Sequence, residues 1–221
     1  PTQSNDNLTF GDEDNVINAL DGDDTIYAGK GNDTIDGGKG NDTLYGQEGD
    51  DTYKFGRGDG FDLIYNYEWN NVGNDTLEFK EGIAPNDLVI MYDKNDESSL
   101  IVGIKEDGKN IDELSDRVTL KSWRNHGGYL LENFKFSDGT VWNVAEIQKH
   151  IHTDGDDVIR GFDSVGSILV GGKGNDVLHG SYHGRNDTYI FNKGDGKDTV
   201  IDSGGDNDTI QFGDGIGRED V

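Results

Sequence analysis

Large apolar residues recur every nine positions at the start of the chain, at Leu8, Ile17, Ile26, Ile35, Leu44 and Tyr53. Two places before each stands Asp6, Asn15, Asp24, Asp33, Asp42 or Asp51, and glycines fill the stretch between. Gly37-Gly38-Lys39-Gly40-Asn41-Asp42-Thr43-Leu44-Tyr45 is the clearest copy. This period fits neither a 3.6-residue helix nor a simple alternating strand, so the unit is a repeated turn and strand. Glycine tolerates positive φ and close backbone approach, which lets six residues curl into a turn with carbonyl oxygens pointing inward. The remaining three residues make a short strand whose middle side chain is buried. Two turns and two strands then close one coil of a right-handed parallel solenoid, with Ile26 and Leu44 stacked on one side and Ile35 and Tyr53 on the other.

A second block runs from Asp154-Gly155-Asp156-Asp157 through Gly171-Gly172-Lys173-Gly174-Asn175-Asp176 to Asn186-Asp187-Thr188-Tyr189. Its apolar positions, Ile159, Leu169, Leu178 and Tyr189, slip from the strict period, and Ser167 stands where an aspartate is expected. Asn74-Asp75-Thr76-Leu77-Glu78-Phe79 returns as Asn207-Asp208-Thr209-Ile210-Gln211-Phe212, so the chain reads as one module of about 133 residues and the start of another. Between the blocks the pattern changes. Leu88–Tyr92, Leu100–Ile104, Arg117–Leu120, Leu130–Phe136 and Val141-Trp142 predict strands, with turns at Asp107-Gly108 and Asp138-Gly139. Asn143 and Glu146 predict a helix from Val144, with Val144, Ile147 and Ile151 on one face. The expected fold is all-β: parallel β-roll blocks at 1–73 and 152–206 flank a small, mainly antiparallel domain at 74–151 with one short helix, and 207–221 begins the next such domain.

Charge sharpens this picture. The chain has 45 Asp and Glu against 19 Lys and Arg, a formal charge of -26 over 221 residues. Such a surface repels nucleic acid, which is therefore excluded as a partner, and attracts cations. Leu, Ile, Val and Phe supply 52 residues, little above the fraction at which a charged chain stays unfolded, so the chain is expected to need a ligand in order to fold. Cysteine is absent, which removes disulfides and thiolate metal sites. No apolar run is long enough to span a membrane.

In the predicted coil, Asp24 stacks near Asp42, and Asp33 near Asp51, at a backbone spacing of about 4.8 Å. Stacked carboxylates repel, and a hard divalent cation taking six to eight oxygen ligands removes the repulsion; calcium suits such a site better than magnesium, which keeps its water shell. These residues resemble the RTX family of type I secreted bacterial toxins, proteases, lipases and adhesins, over about Asp6 to Asp62 and Gly155 to Asp198. The resemblance implies a calcium-bound parallel β-roll in which each turn gives backbone carbonyls and the aspartate side chain. The implied aspartate ligands are Asp24, Asp33, Asp42, Asp51, Asp62, Asp157, Asp176, Asp187 and Asp198. The implied carbonyl ligands are Gly29, Gly31, Gly37, Gly38, Gly40, Gly46, Gly49, Gly171, Gly172 and Gly174. About five or six calcium ions are expected. Glu13, Asn15, Ala19-Leu20 and Ser167 depart from the pattern and weaken the sites that use them. Ser122-Trp123 and Phe136-Ser137-Asp138-Gly139-Thr140-Val141-Trp142 make the middle segment resemble the haemolysin-type calcium-binding related domain.

The resemblance implies a bacterial module that is extracellular, secreted or cell-surface associated, that passes a type I secretion apparatus unfolded and folds on meeting calcium. A second reading is a binding segment for a host-surface ligand, because Tyr65, Tyr67 and Trp69 fall on one face of an extended stretch and could stack on sugars. The sequence has no H-E-x-x-H, G-x-S-x-G or P-loop, and no catalytic residue is assigned. His150-x-His152 and His179-x-x-x-His183 lack a third zinc ligand in phase. Asp93-Lys94-Asn95-Asp96-Glu97 begins like an EF-hand loop but lacks its glycine and terminal glutamate, and reads as a hairpin tip.

Overall fold

The computed structural model describes residues 1–68, 73–125, 128–162, 165–181, 185–205 and 207–220. The chain divides into two compact units, Pro1–Val89 with Asp93–Val144, and Ile90–Tyr92 with Ala145–Val221.

The first unit opens with eight short strands: β1 (Asn7–Thr9), β2 (Val16–Asn18), β3 (Thr25–Lys30), β4 (Thr34–Asp36), β5 (Thr43–Glu48), β6 (Thr52–Phe55), β7 (Phe61–Ile64) and β8 (Thr76–Phe79). They fall alternately into two parallel sheets, β1-β3-β5-β7 and β2-β4-β6-β8. Register follows the nine-residue period where Leu8 pairs Ile26 and Ile26 pairs Leu44, and it is kept across a longer turn where Leu44 pairs Ile64. On the facing sheet Ile17 pairs Ile35, Ile35 pairs Tyr53, and Tyr53 pairs Leu77. Ile26, Ile35, Tyr53 and Leu77, each the second residue of its strand, are fully buried between the sheets.

Five further strands follow: β9 (Leu88–Asp93, whose Ile90–Tyr92 belong to the second unit), β10 (Asp96–Ile104), β11 (Arg117–Leu120), β12 (Asn133–Lys135) and β13 (Val141–Asn143). Within the first unit the orders become β1-β3-β5-β7-β11-β10 and β13-β12-β8-β6-β4-β2. β11 lies parallel to β7, with Arg117 opposite Phe61 and Leu120 opposite Ile64, and β10 runs antiparallel to β11. β12 lies parallel to β8, and β13 antiparallel to β12. The roll thus passes into the antiparallel segment without breaking either sheet. Trp123, Phe134 and Phe136 fill this part of the core, and the Trp123 indole N–H donates to the Leu131 carbonyl at 2.9 Å. Asp93 and Asp96 flank a tight turn between β9 and β10, the hairpin tip expected there.

The second unit contains α1 (Val144–Gln148, its first residue in the first unit), β14 (Val158–Arg160), β15 (Ile168–Val170), β16 (Val177–His179), β17 (Thr188–Phe191), β18 (Thr199–Ile201) and β19 (Thr209–Phe212). Two parallel three-stranded sheets, β14-β16-β18 and β15-β17-β19, enclose Ile159, Leu169, Leu178 and Tyr189. The irregular spacing of this block is absorbed in the turns, since Ile159 still pairs Leu178 and Leu169 still pairs Tyr189. The helix begins at Val144 as expected and buries Ile147, but it ends at Gln148, so Ile151, expected on the same face, is buried beyond its end. No helix among the described residues is long and apolar enough to cross a membrane.

Buried and exposed apolar positions should respond differently to truncation. Ile35→Ala, at a fully buried site, should cost about 2–5 kcal/mol, whereas Val16→Ala, at a side chain 89% exposed, should change stability by less than about 0.5 kcal/mol. Denaturant unfolding in saturating calcium measures both, and equal losses would contradict the assigned core.

Candidate metal centre

Each aspartate of the nine-residue unit closes its turn just before a strand begins, so its position is fixed by the strand register. The Asp24 N–H donates to Asp42 Oδ1 at 2.8 Å, and the Asp42 N–H to Asp62 Oδ1 at 3.0 Å. On the other side Asp33 donates to Asp51 Oδ1 at 2.8 Å and Asp51 to Asp75 Oδ1 at 2.7 Å. The second unit repeats this through Asp157 to Asp176 and Asp176 to Asp198, and through Ser167 to Asp187 and Asp187 to Asp208. One carboxylate oxygen of every rung is thereby tied to the neighbouring coil.

The other oxygen decides the chemistry. Oδ2 of Asp24, Asp33, Asp42, Asp51 and Asp176 is buried and has no hydrogen-bond partner. A buried charged oxygen without a donor is costly, and a cation in the turn removes that cost. Burial pushes the Asp42 carboxyl up to about 6, Asp51 to about 7, Asp62 to about 8 and Asp176 to about 6, with neighbouring carboxylates adding to the effect. Asp24 and Asp33 are raised for the same first reason. The donor set is all oxygen, which fits calcium rather than a metal preferring nitrogen or sulfur.

The glycines keep these turns open. Gly29, Gly31, Gly38, Gly40, Gly49, Gly172 and Gly174 all have positive φ. A Cβ on Gly40 would fall on the Gly22 carbonyl oxygen, and one on Gly49 on that of Gly31, so successive coils approach backbone to backbone. Gly37, Gly46 and Gly171 each face the Oδ2 atom of their own turn's aspartate. That first position is less strict, because Ala19 and Ala28 occupy it fully buried. Leu20 takes a left-handed φ of 85°, the backbone cost of placing leucine where the repeat has glycine.

The remaining aspartates differ. Both oxygens of Asp157 accept from Thr153, and both of Asp187 accept from Ser181. Asp62 is buried and Asp198 half-buried, each accepting from the coil before it. Ser167 keeps the backbone rung but brings no carboxylate, and Asn15 donates to Asp33 through both backbone and side chain.

Several members escaped the sequence reading. Asp75 and Asp208 continue the ladder outside the nine-residue period, marked in the sequence by the recurring Asn-Asp-Thr-apolar tail. Carboxylate oxygens of Asp187, Asp202 and Asp208 lie within 4.8 Å of one another. In the first unit Asn66 stands in place of Asp202, accepting from the Tyr53 hydroxyl at 2.8 Å and donating to Asp75 at 2.6 Å. A second ladder lies one residue earlier in each turn: Asn32 donates its N–H to Asp14, Asn41 to Asp23 and Asp50 to Asn32, all at 2.8–2.9 Å. The Asn or Asp at every ninth position was visible in the sequence as its signal.

Of the expected aromatic row, Tyr65 and Tyr67 are at least partly exposed and flank buried Asn66. They lie beyond β7, which ends at Ile64, and the Tyr65 ring stacks on Tyr45, which stacks on Tyr27, with centroids 4.9 and 4.6 Å apart. Tyr67 packs against Tyr129, and Trp69 lies outside the described residues, as does His183.

A roll of short parallel coils, with a carboxylate ladder along each side and an all-oxygen donor set, defines a calcium-binding repeat module. Residues 9–44, 31–62 and 167–182 match the family described as RTX calcium-binding nonapeptide repeat (4 copies), and residues 100–146 match the haemolysin-type calcium binding protein related domain. Over these residues the chain is similar to the RTX haemolysin-type calcium-binding repeat proteins. It is also similar to the iron-regulated protein FrpA of Neisseria meningitidis serogroup C, at 35% identity over 127 residues, covering 55% of the chain and 10% of that relative.

Two outcomes follow from the geometry. Gly40→Ala should raise the calcium concentration needed for folding by about fivefold or more, since positive φ and the Gly22 carbonyl both oppose the methyl group; Gly11→Ala, with open space around it, should leave it unchanged in a calcium titration. In chelator, the folded carboxyls of Asp42, Asp51, Asp62 and Asp176 hold protons that unfolded ones release above pH about 4. Folding without metal should therefore be favoured at pH 5 and weaken as pH rises through 6 to 8; circular dichroism showing the reverse trend would overturn the assignment.

Proposed function

We propose that this chain is a calcium-triggered folding module of a larger type I secreted bacterial protein, a toxin or adhesin. The single observation that carries this reading is the row of buried carboxylate oxygens at Asp24, Asp33, Asp42, Asp51 and Asp176 that have no partner within the protein. Asp62, Asp157, Asp187 and Asp198 complete the proposed aspartate set. Carbonyls of Gly29, Gly31, Gly37, Gly38, Gly40, Gly46, Gly49, Gly171, Gly172 and Gly174 complete the cages. When bound, calcium supplies positive charge and oxygen coordination in the turns. About five or six ions would offset 10 to 12 of the 26 net negative charges.

The energetics give the trigger. An ion that binds only the folded state stabilises it by about 2.7 kcal/mol per site at a hundredfold excess over its dissociation constant. Extracellular modules bind calcium at about 10⁻⁴ to 10⁻³ M, so the sites are empty in cytosol and fill outside the cell. An unfolded acidic chain threads a secretion channel, and outside it the roll closes. In this reading the segment is not an enzyme; its role is calcium binding and structure. The aromatic evidence weakens the sugar-binding alternative, because stacking on Tyr45 covers a face of the Tyr65 ring.

A calcium titration followed by far-ultraviolet circular dichroism tests the proposal, with magnesium as control. Strand signal should appear cooperatively at about 10⁻⁴ to 10⁻³ M calcium, and Asp33→Ala and Asp42→Ala should each shift the midpoint to higher calcium. A chain fully folded in chelator and unmoved by calcium would make the roll a permanent spacer instead.

A further inference from the structure

Lys80 is a charge that the repeat pattern does not account for. It follows β8, and its ammonium lies 2.7 Å from Asp36 Oδ1 and 2.8 Å from Asp59 Oδ2. Asp36 ends β4, and Asp59 sits in the turn between β6 and β7. One side chain therefore reaches back across three adjacent strands of the sheet, β8, β6 and β4. Its stem lies over Gly56, where an added Cβ would come within 2.7 Å of Lys80 Cβ and Cδ. The Lys80 N–H also donates to the Phe55 carbonyl at 2.9 Å. Asp59 is 95% buried and accepts from the Gly56 N–H at 2.7 Å, so this pair is built into the last coil.

The second unit supplies an internal comparison. Gly213 stands where the repeat of Asn74–Phe79 puts Lys80, and Val170, before Gly171-Gly172, stands where Asp36 precedes Gly37-Gly38. Both members of the Lys80–Asp36 pair are replaced together. Asp195, in the place of Asp59, accepts from the Asn192 backbone and is less buried.

We propose that Lys80 is a tethered counter-ion: beside Asp36 and Asp59, which lie outside the proposed calcium ligands, its ammonium supplies at the last coil of the first roll part of the positive charge that metal supplies along the ladder. That end of the roll then forms without metal and presents a finished edge on which the preceding coils order as calcium arrives. The second roll, lacking the pair, depends on calcium throughout. This inference rests on the proposal that calcium fills the aspartate ladder.

Hydrogen exchange read by mass spectrometry tests it on the whole chain, in chelator and across a calcium titration. In chelator the wild-type amides of β6 and β8 should be protected while those of β1 to β3 and of the second roll exchange freely. Lys80→Met should lose that protection and raise the calcium midpoint about two- to threefold; Lys80→Arg should keep most of it. Lys135→Met, which removes an exposed pair with Glu78, should change neither. Absence of protection in wild-type chelator samples, or a Lys80→Met chain identical to wild type, overturns the inference. So does a Lys80→Met chain that stays unfolded in saturating calcium, because metal then cannot replace the ammonium. Protection of every strand in chelator would instead count against calcium-triggered folding, and the inference then falls too, since no end of the roll forms first.

Discussion

Like charges held at the spacing of stacked backbones set the terms for this fold. Two carboxylates about 5 Å apart repel by about 3 kcal/mol at an effective dielectric of 20, and the roll repeats that contact along both sides. The short coils, the glycine turns and the burial of each aspartate side chain all bring these groups closer or remove them from water. The structure meets the repulsion in three ways. Five carboxylates, of Asp24, Asp33, Asp42, Asp51 and Asp176, leave an oxygen facing the turn, for a cation to satisfy. At the last coil of the first roll an ammonium stands between two carboxylates. Beside Asp75 a neutral amide, Asn66, donates where a charge would otherwise be needed.

The sequence was most legible where local geometry repeats. A nine-residue period with one apolar residue per strand leaves a single register that buries Ile17, Ile26, Ile35, Leu44 and Tyr53, so the facing pairs of Ile26 with Leu44 and Ile35 with Tyr53 could be read directly. The helix at Val144 was equally readable from its cap. What could not be read was how the middle segment joins the roll. β11 pairs parallel with β7 across 56 residues and β12 with β8 across 57, and neither contact has a periodic signature. Strand type was visible there, but partner choice depends on long-range packing. The same limit hid Lys80 and Asp116, which accepts from Gly58 and Gly60 in the last turn from far along the chain.

Departures from the repeat are informative because the backbone tolerates them unequally. Ala19 and Ala28 replace the first glycine without disturbing their turns, whereas Leu20 is forced into a left-handed conformation. Ser167 keeps the inter-coil hydrogen bond and loses the carboxylate. Rung and ligand are thus separable duties of one residue: the backbone N–H and the strand register hold the coil, and the side chain holds the charge.

The outer ladder has the opposite logic, and with it an evolutionary consequence. Its rungs need one acceptor oxygen, which asparagine and aspartate supply equally well, and the chain uses both, as Asp14, Asp23, Asn32, Asn41 and Asp50. A single-step exchange between the two residues changes the protein's charge by one while leaving the bond and the coil intact. Net charge can therefore drift or be selected, for solubility or for a particular salinity, along a set of positions that the fold reads as identical.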